Sequence, residues 1–249
     1  MKKYARVYPP VVERLMNEQG DIKAVKTKLH QAYGAYTQEN GHKKAAKLLD
    51  EMENASACCD AVATATNLLA LHASTMERLQ YYDEFYAYIL ENTGQIESIL
   101  DIGCGYNPFS LPLIPAKIKA YYAYDIDTRV ADLMNRFFTL LELPPYAKCA
   151  DLAAEIPKDT TDIAFMCKLL PVLEAQAHGS GFELARNLNV HYLLITYPLK
   201  SLGGREKGMA RHYTASFERA LAEGLLEPFS LVNQSQIGQE ILYLLQKKG

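Results

Sequence analysis

Residues 98–105 read S-I-L-D-I-G-C-G, and residues 120–125 read A-Y-Y-A-Y-D. The first run is typical of a buried β-strand that ends at a turn with Gly103 and Gly105, and we expect a helix after it. Glycines at such a turn let a ligand approach the backbone, and the next helix N-terminus offers free N–H groups. The second run ends in Asp125, 22 residues after Gly103, where an acid binds the hydroxyls of a ribose. These runs predict a nucleotide-type site at the carboxyl ends of two parallel strands.

Short apolar runs alternate with helical segments from about residue 96 onward. The runs typical of strands are S-I-L-D-I-G, A-Y-Y-A-Y-D-I, Y-A-K-C-A, D-I-A-F-M-C and H-Y-L-L-I-T-Y. Because strands that alternate with helices form βαβ units, we predict an α/β fold with a mostly parallel sheet. The last two runs, P-F-S-L-V-N-Q and Q-E-I-L-Y-L-L-Q-K, are separated by about four residues, too few for a parallel crossover. We therefore expect a seven-stranded sheet with antiparallel terminal strands.

The first 92 residues contain only patterns that are typical of helices. Pro9-Pro10 opens one helix and Gly20 closes it, and Asp21 caps the next one. Further helices are expected in K-K-A-A-K-L-L-D-E-M-E, in D-A-V-A-T-A-T-N-L-L-A-L-H and from about Ser74 to Leu90. The predicted organisation is a helical N-terminal domain at residues 1–92 and a Rossmann-like domain at residues 93–249.

The ligand is predicted to lack a pyrophosphate. A dinucleotide fingerprint needs a third glycine, and this chain has Tyr106-Asn107-Pro108 in its place. S-adenosylmethionine, an adenosine with a cationic sulfonium and an amino acid, fits better, and antiparallel terminal strands suit a methyltransferase sheet better than a dehydrogenase sheet. Asp101 is expected to face the cationic end, and Asp151 the adenine amino group. The alternative is that both acids only form turns at strand ends.

The net charge hides an uneven distribution along the chain. The 26 Lys and Arg residues against 29 Asp and Glu residues give −3, which by itself speaks against a nucleic-acid partner. Residues 1–50, however, hold ten basic and five acidic residues and carry +5, so the remaining residues carry −8. This asymmetry indicates a partner for the basic segment.

Composition excludes several classes of protein. With 49% hydrophobic and 22% charged residues, the chain is neither disordered nor collagen-like. Five cysteines without a C-x-x-C pair predict no metal site, and an odd number fits a reducing compartment. Because the sequence has neither a signal segment nor an apolar span of about 18 residues, we expect a cytoplasmic protein without membrane association.

Four further motifs accompany the glycine loop L-D-I-G-C-G-Y-N-P. They are L-H-A-S-T-M-E-R-L at 71–79, K-L-L-P at 168–171, Y-P-L-K-S-L-G-G-R-E-K-G-M at 197–209 and I-G-Q-E-I-L-Y-L-L at 237–245. With the K-T-K-L-H and G-A-Y pieces of the N-terminal helices, they cover nearly the whole chain. In this combination the chain resembles the 16S ribosomal RNA guanine-N7 methyltransferases that confer aminoglycoside resistance.

The resemblance implies a cytoplasmic, monomeric enzyme that uses S-adenosylmethionine. Its implied substrate is guanine 1405 in the helix 44 decoding site of 16S rRNA, within the assembled 30S subunit, and the helical domain is expected to dock on this rRNA. The residues implied to contact the cofactor are His72, Arg78, Gly103, Gly105, Asp125, Ile126, Asp151, Leu152 and Lys168. Arg78 is expected to bind the methionine carboxylate, which suits a guanidinium fork.

The chain departs from the family pattern at two places. Cys149-Ala150 precede Asp151, where relatives often have Gln, and Cys167 stands where they often have Phe. One contact on the adenine side and one packing contact before Lys168 are therefore expected to differ.

The implied chemistry relies on positioning rather than on a general base. Guanine N7 already carries an in-plane lone pair and no proton, so we predict no catalytic acid or base. The target base is expected to leave its helix and to stack on Tyr106 or Phe109. The alternative for both rings is packing in the core or in a loop.

Basic residues in two segments are predicted to contact rRNA, and a merely solvated surface is the alternative for each. They are Lys2, Lys3, Arg6, Arg14, Lys23, Lys26 and Lys28 in the N-terminal helices, and Lys200, Arg205, Lys207 and Arg211 after the fifth strand. Three functions remain open: rRNA methylation, methylation of a small molecule, and ribosome binding without catalysis. The basic segments speak against the second function, and the glycine loop with Asp125 speaks against the third.

Overall fold

The computed structural model describes residues 4–34, 40–54, 60–199 and 209–248. These residues form an N-terminal run of helices, a seven-stranded sheet and helices on both faces of the sheet. The helices are α1 (Pro9–Gln19), α2 (Ile22–Leu29), α3 (Gly41–Asn54), α4 (Ala61–Leu69), α5 (Ala73–Arg78), α6 (Tyr82–Thr93), α7 (Thr128–Leu140), α8 (Leu170–Gln176), α9 (Ser180–Arg186) and α10 (Met209–Ala222). The strands are β1 (Ser98–Ile102), β2 (Ala120–Asp125), β3 (Ala147–Cys149), β4 (Thr160–Cys167), β5 (Asn189–Pro198), β6 (Phe229–Ile237) and β7 (Glu240–Lys247).

The strand order confirms the fold predicted from the alternation of strands and helices. The order is β3-β2-β1-β4-β5-β7-β6. The first five strands pair in parallel, whereas β7 runs antiparallel to both β5 and β6. Because β1 lies between β2 and β4, the chain changes direction there, and a crevice forms at the carboxyl ends of these strands.

Alternating side chains of the central strands belong to two different hydrophobic clusters. Ile99 packs on the side of α3, α4, α6 and α7, whereas its neighbour Leu100 packs on the side of α8, α9 and α10. Phe165 and Met166 of β4 divide in the same way. Strands that are covered on both faces give the near-continuous apolar runs seen in the sequence.

Most of the N-terminal helices share the core of the sheet. Leu49 of α3, Leu68 of α4 and Phe85 of α6 are fully buried in one cluster with strand residues such as Phe165. The predicted domain boundary between residues 92 and 93 therefore cuts through this cluster. Residues 4–34 have a small cluster of their own, to which Ile126 is attached; we call them the N-terminal segment.

Two helices differ from the expectation. The helix predicted from Ser74 to Leu90 is interrupted by a 3-10 turn at Leu79–Tyr81. The ring of Tyr81 lies against the β6–β7 turn, where a Cβ on Gly238 would come within 2.5 Å of it. The segment after the glycine loop is a 3-10 helix, Asn107–Leu113, because Pro112 lacks an N–H and its ring blocks a regular α-helix.

No helix among the described residues combines the length and the apolar character that a membrane crossing requires. Within the same ranges, no group of histidine, cysteine, aspartate and glutamate side chains is arranged to hold a metal ion.

We predict that α3 and the sheet unfold together. Leu49→Ala removes a fully buried side chain and should lower the free energy of unfolding by about 2–5 kcal/mol, in a single transition followed by circular dichroism. Lys47→Ala changes an exposed residue of the same helix and should leave the transition within about 0.5 kcal/mol. Two separate transitions, with only one shifted by Leu49→Ala, would contradict a shared core.

Candidate functional site

A pocket lies in the crevice at the carboxyl ends of β1, β2 and β4. Its walls come from the glycine loop, the turn after β2, helix α5 and the turn before α8. The N-terminal part of the chain contributes as well, through Ala32, Tyr33 and His42. The pocket is thus formed by the sheet and by the helices that precede it.

The glycine loop passes close to two side chains. Gly103 has φ +67°, and a Cβ there would lie 2.7 Å from Leu169 Cδ1. Gly105 has φ +50°, and a Cβ there would lie 3.0 Å from the His72 ring. Both positions therefore need glycine, for the backbone conformation and for the space.

Asp125 connects the end of β2 to the glycine loop. Its carboxylate accepts hydrogen bonds from the backbone N–H groups of Gly105 and Asp127, both at 2.9 Å. Burial raises the pKa of Asp125 to about 6. Its remaining lone pairs border the pocket, where they suit the hydroxyl groups of a ribose.

Arg78 forms the centre of a buried polar network. Its Nε and one terminal nitrogen donate to the two carboxylate oxygens of Glu240, at 3.0 and 2.6 Å. Its other terminal nitrogen donates to Asn107 Oδ1 at 3.0 Å. A guanidinium group has five N–H donors, so among the described residues two of them remain for a ligand in the pocket.

Asp101 lies beneath the glycine loop and is fully buried. Asn107 and Tyr121 donate to its Oδ2 at 2.8 and 2.7 Å, whereas Oδ1 has no hydrogen-bond partner among the described residues. Burial raises the pKa of Asp101 to about 6. An unpartnered buried carboxylate oxygen favours a cation nearby.

Lys168 follows β4 and lines the pocket. Its ammonium group is 2.6 Å from Glu77 and 3.4 Å from Glu240. Burial alone would raise the pKa of Glu240, but Arg78 and Lys168 outweigh burial and lower it. The two cations and Glu240 are thus coupled in one buried group.

Eight of the nine predicted cofactor residues line the pocket. They are His72, Arg78, Gly103, Gly105, Asp125, Ile126, Leu152 and Lys168. His72 is neutral at pH 7, because burial lowers its pKa to about 4. Whether these residues bind a cofactor stays a prediction at this point, but the structure brings them together.

Asp151 differs from these eight residues, since it is not among those that line the pocket. Arg14 of α1 holds it, with Nε 2.6 Å from Oδ2 and a terminal nitrogen 2.9 Å from Oδ1. The Asp151 carboxylate is thus engaged in an ion pair, and its expected contact with an adenine amino group stays a prediction. The next residue, Leu152, does line the pocket.

Tyr106 and Phe109 do not line the pocket either. The Tyr106 ring is 1% exposed, stacks on His72 and bonds to His42 Nδ1 at 3.0 Å. Phe109 is fully buried between Tyr106 and Phe137. Because a buried ring has no open face for a base, the stacking interpretation does not fit this structure, and the packing alternative does.

The predicted rRNA contacts fall into two groups. Lys2, Lys3, Lys200, Arg205 and Lys207 lie outside the described residues, whereas Arg6, Lys23, Lys26 and Arg211 are exposed on the surface. Two further residues of the expected docking face are bonded within the protein instead. Lys28 donates to the carbonyl of Ala175 at the end of α8, and Arg14 pairs with Asp151.

Sequence reasoning missed His42, Asn107 and Glu240. His42 Nε2 lies 3.1 Å from Asp127; burial alone would raise the pKa of Asp127, but hydrogen bonds from His42 and Arg129 hold it at about 2. Asn107 and Glu240 both stand inside motifs of the resemblance, but these motifs assign neither residue a role in the site. His42 lies 85 residues before Asp127, and no local pattern points to their contact.

Comparison with known proteins identifies relatives along the whole chain. The model of a family described as "Ribosomal RNA methyltransferase (FmrO)" matches residues 1–244. Two proteins named 16S rRNA (guanine(1405)-N(7))-methyltransferase, from Micromonospora echinospora and from Serratia marcescens, are each 32% identical to this chain. The alignment with the Micromonospora protein covers 99% of this chain and 93% of that protein. The alignment with the Serratia protein covers 100% of this chain and 95% of that protein.

Solved structures agree with these relatives. The crystal structure of the 16S rRNA methyltransferase RmtF in complex with S-adenosyl-L-homocysteine superimposes with a TM-score of 0.84 at 32% identity, over 98% of this chain and 93% of that one. The 16S rRNA methylase RmtB gives a TM-score of 0.81 at 29% identity, over 100% and 94%.

We predict that Asp101→Asn stabilises the ligand-free protein at pH 7. The folded state holds the Asp101 proton more tightly than the unfolded state does, so its contribution is present below about pH 4 and is lost as pH rises through about 6. Asparagine accepts the same two hydrogen bonds without a charge and should add roughly 1–3 kcal/mol at pH 7.

Urea denaturation of both proteins between pH 4 and pH 7 measures this difference. The gain should shrink as the pH falls from 7 toward 4, because Asp101 becomes protonated in the folded state below about pH 6. Asp162→Asn is the control with the opposite sign, because the backbone N–H groups of Glu97 and Ser98 outweigh burial and lower the pKa of Asp162. A constant gain for Asp101→Asn at every pH would contradict the titration.

Proposed function

Because the chain belongs to the FmrO family of ribosomal RNA methyltransferases, we propose that it methylates N7 of guanine 1405 in 16S rRNA with S-adenosylmethionine as the methyl donor. The position and the atom are those in the names of its relatives, and the cofactor follows from the ligand named with RmtF. The observation that carries the proposal is the pocket that joins the glycine loop, Asp125 and Arg78.

The chemistry of the pocket suits each part of this cofactor. The two remaining N–H donors of Arg78 suit the methionine carboxylate. Asp101 does not line the pocket, but its unpartnered oxygen lies buried beneath the glycine loop, and its negative charge favours the cationic end of the cofactor above it. Asp125 suits the ribose hydroxyls, and Ile126 and Leu152 provide apolar walls for the adenine. When bound, S-adenosylmethionine supplies an activated methyl group on a sulfonium.

The residues of the pocket act by positioning and by excluding water. Guanine N7 offers an unprotonated lone pair, so no side chain has to remove a proton before transfer. His72 and Lys168 form buried walls, which keep water away from the reacting atoms. Holding two reactants in line in such a site accounts for a large part of a rate enhancement.

The substrate is proposed to be the assembled 30S subunit, bound by a monomer in the cytoplasm. The exposed Arg6, Lys23 and Lys26 of the N-terminal segment, and Arg211 at the start of α10, support contacts with rRNA phosphates. The target base is proposed to flip into the pocket, because a base paired inside a helix is out of reach of a buried site.

Resistance to aminoglycosides then follows from the product. A methyl group at N7 removes a hydrogen-bond acceptor from the edge of the guanine and adds a fixed positive charge. A cationic aminoglycoside that binds at this edge loses a hydrogen bond and is repelled by the like charge.

Methylation of purified 30S subunits with labelled S-adenosylmethionine tests the proposal. We expect label in 16S rRNA and, after borohydride and aniline treatment, strand cleavage at guanine 1405, since this treatment cuts at N7-methylguanine. Asp125→Ala should reduce labelling at least about 100-fold through the lost ribose contact. Unlabelled rRNA would contradict the proposal, and label without cleavage at that site would mean another base or another atom.

Salt dependence tests the docking residues. If Lys23 and Lys26 contact phosphates, replacing each by alanine should weaken 30S binding and lower the slope of log affinity against log salt by about 1. Lys119→Ala is the matched control, because Lys119 is exposed and precedes β2, at the end of the sheet opposite the pocket. An unchanged slope for Lys23→Ala and Lys26→Ala would contradict their docking role.

A further inference from the structure

The N-terminal segment is attached to the rest of the protein mainly around the pocket. Its own hydrophobic cluster is small, and Ile126, which lines the pocket, packs against it. The backbone N–H of Tyr8 donates to the Ile126 carbonyl at 2.7 Å, and that of Thr128 donates to the Arg6 carbonyl at 2.9 Å. The segment therefore borders the turn that follows Asp125.

Arg14 joins this segment to two walls of the pocket at once. Besides its two contacts with Asp151, its terminal nitrogen donates to Gln176 Oε1 at 3.1 Å. Gln176 ends α8 and lines the pocket, as does Leu152 next to Asp151. One guanidinium group thus connects the turn after β3 to the end of α8.

The position of Asp151 affects the neighbouring walls through the backbone. Its carbonyl accepts hydrogen bonds from the N–H groups of Ala154 and Glu155, at 2.8 and 2.7 Å, which makes it the first residue of a tight turn. The N–H of Ala150 donates to the Asp125 carbonyl at 3.2 Å. A shift of Asp151 would therefore move Leu152 and disturb the bond to Asp125.

We propose that Arg14 is a positioning residue of the cofactor site, which holds Asp151, Leu152 and Gln176 in place around the adenine. This inference rests on the proposed function, because it assigns the adenine to the Leu152 side of the pocket. Arg14 touches no reacting atom and acts through Asp151 and Gln176. The N-terminal segment is then a part of the cofactor site, in addition to its proposed docking role.

A purely structural ion pair is the competing explanation. Asp151 is 3% exposed, so removing its partner leaves a buried charge and destabilises the protein in either case. Selectivity for the base separates the two explanations. In the positioning role, Arg14 holds the Asp151 carboxylate and the Gln176 amide beside Leu152, where they are the polar groups proposed to recognise the adenine amino group. A purely structural pair has no effect on the choice between adenine and hypoxanthine. S-inosylhomocysteine, which carries an oxo group in place of the adenine amino group, is the probe for this choice.

The test measures binding of S-adenosylhomocysteine and S-inosylhomocysteine to the full chain by calorimetry. The wild type should prefer the adenosyl compound by about tenfold, as expected for one hydrogen-bonding group. In Arg14→Ala we expect affinity for the adenosyl compound to fall about tenfold and the preference to approach one. The KM for S-adenosylmethionine should rise, with kcat at saturation within about twofold.

Two further variants keep the result decisive. Glu18→Ala removes the exposed partner of Arg14 and should bind both compounds as the wild type does. Arg14→Lys keeps the charge but cannot contact Asp151 and Gln176 together, and should lose about half of the preference on a logarithmic scale. If Arg14→Ala does not fold, the preference measured for Arg14→Lys decides between the positioning role and a purely structural ion pair.

The outcomes of this test separate the inference from the proposed function. A wild type that binds neither compound would contradict the proposed function itself. A wild type that binds with preference, and Arg14 variants that keep the same preference, would overturn the positioning role alone.

Discussion

The buried ion pair between Arg78 and Glu240 is the interaction on which the site depends. Arg78 ends α5 and Glu240 begins β7, and the side chains are 3% and 5% exposed. Thr196 of β5 donates to Glu240 at 2.6 Å, and Arg78 also donates to Asn107 in the segment after the glycine loop. One pair thus fixes α5, the antiparallel strand β7 and the segment after the glycine loop relative to one another. Breaking it from one side would leave a buried charge, at a cost of about 3–5 kcal/mol.

This constraint explains why the helices before the sheet belong to its core. Because Arg78 has to reach Glu240 at the start of β7, α5 must lie over the strands. Phe85 of α6, whose ring centroid is 4.6 Å from the Arg78 guanidinium carbon, packs there against Phe165. Residues 4–34, by contrast, have a separate small cluster and meet the pocket through Ile126 and through polar contacts such as that of Arg14 with Asp151. The division of the core therefore differs from the division of the sequence at residue 92.

The sequence was a good guide wherever the deciding contacts are local or periodic. The apolar runs predicted all seven strands, and the short final connection predicted their antiparallel pairing at one end of the sheet. The spacing of Gly103 and Gly105 predicted the turn that forms the glycine loop. It was a poor guide where a side chain chooses between distant partners. Asp151 pairs with Arg14, 137 residues away, and Tyr106 packs between two histidines of the N-terminal helices. Neither partner follows from local pattern, because any strand-end acid or loop tyrosine has the same appearance in the sequence.

The electrostatics around the pocket favour a ligand that carries a positive charge. The cations Arg78 and Lys168 already face Glu240 and Glu77, whereas burial raises the pKa values of Asp101 and Asp125 to about 6. At neutral pH both carboxyls are thus ionised at a cost, because their charge is poorly solvated. A cationic ligand offsets this cost, and in a low-dielectric site it is attracted more strongly than in water. The desolvation that destabilises the ligand-free protein is therefore also a source of affinity for a sulfonium cofactor.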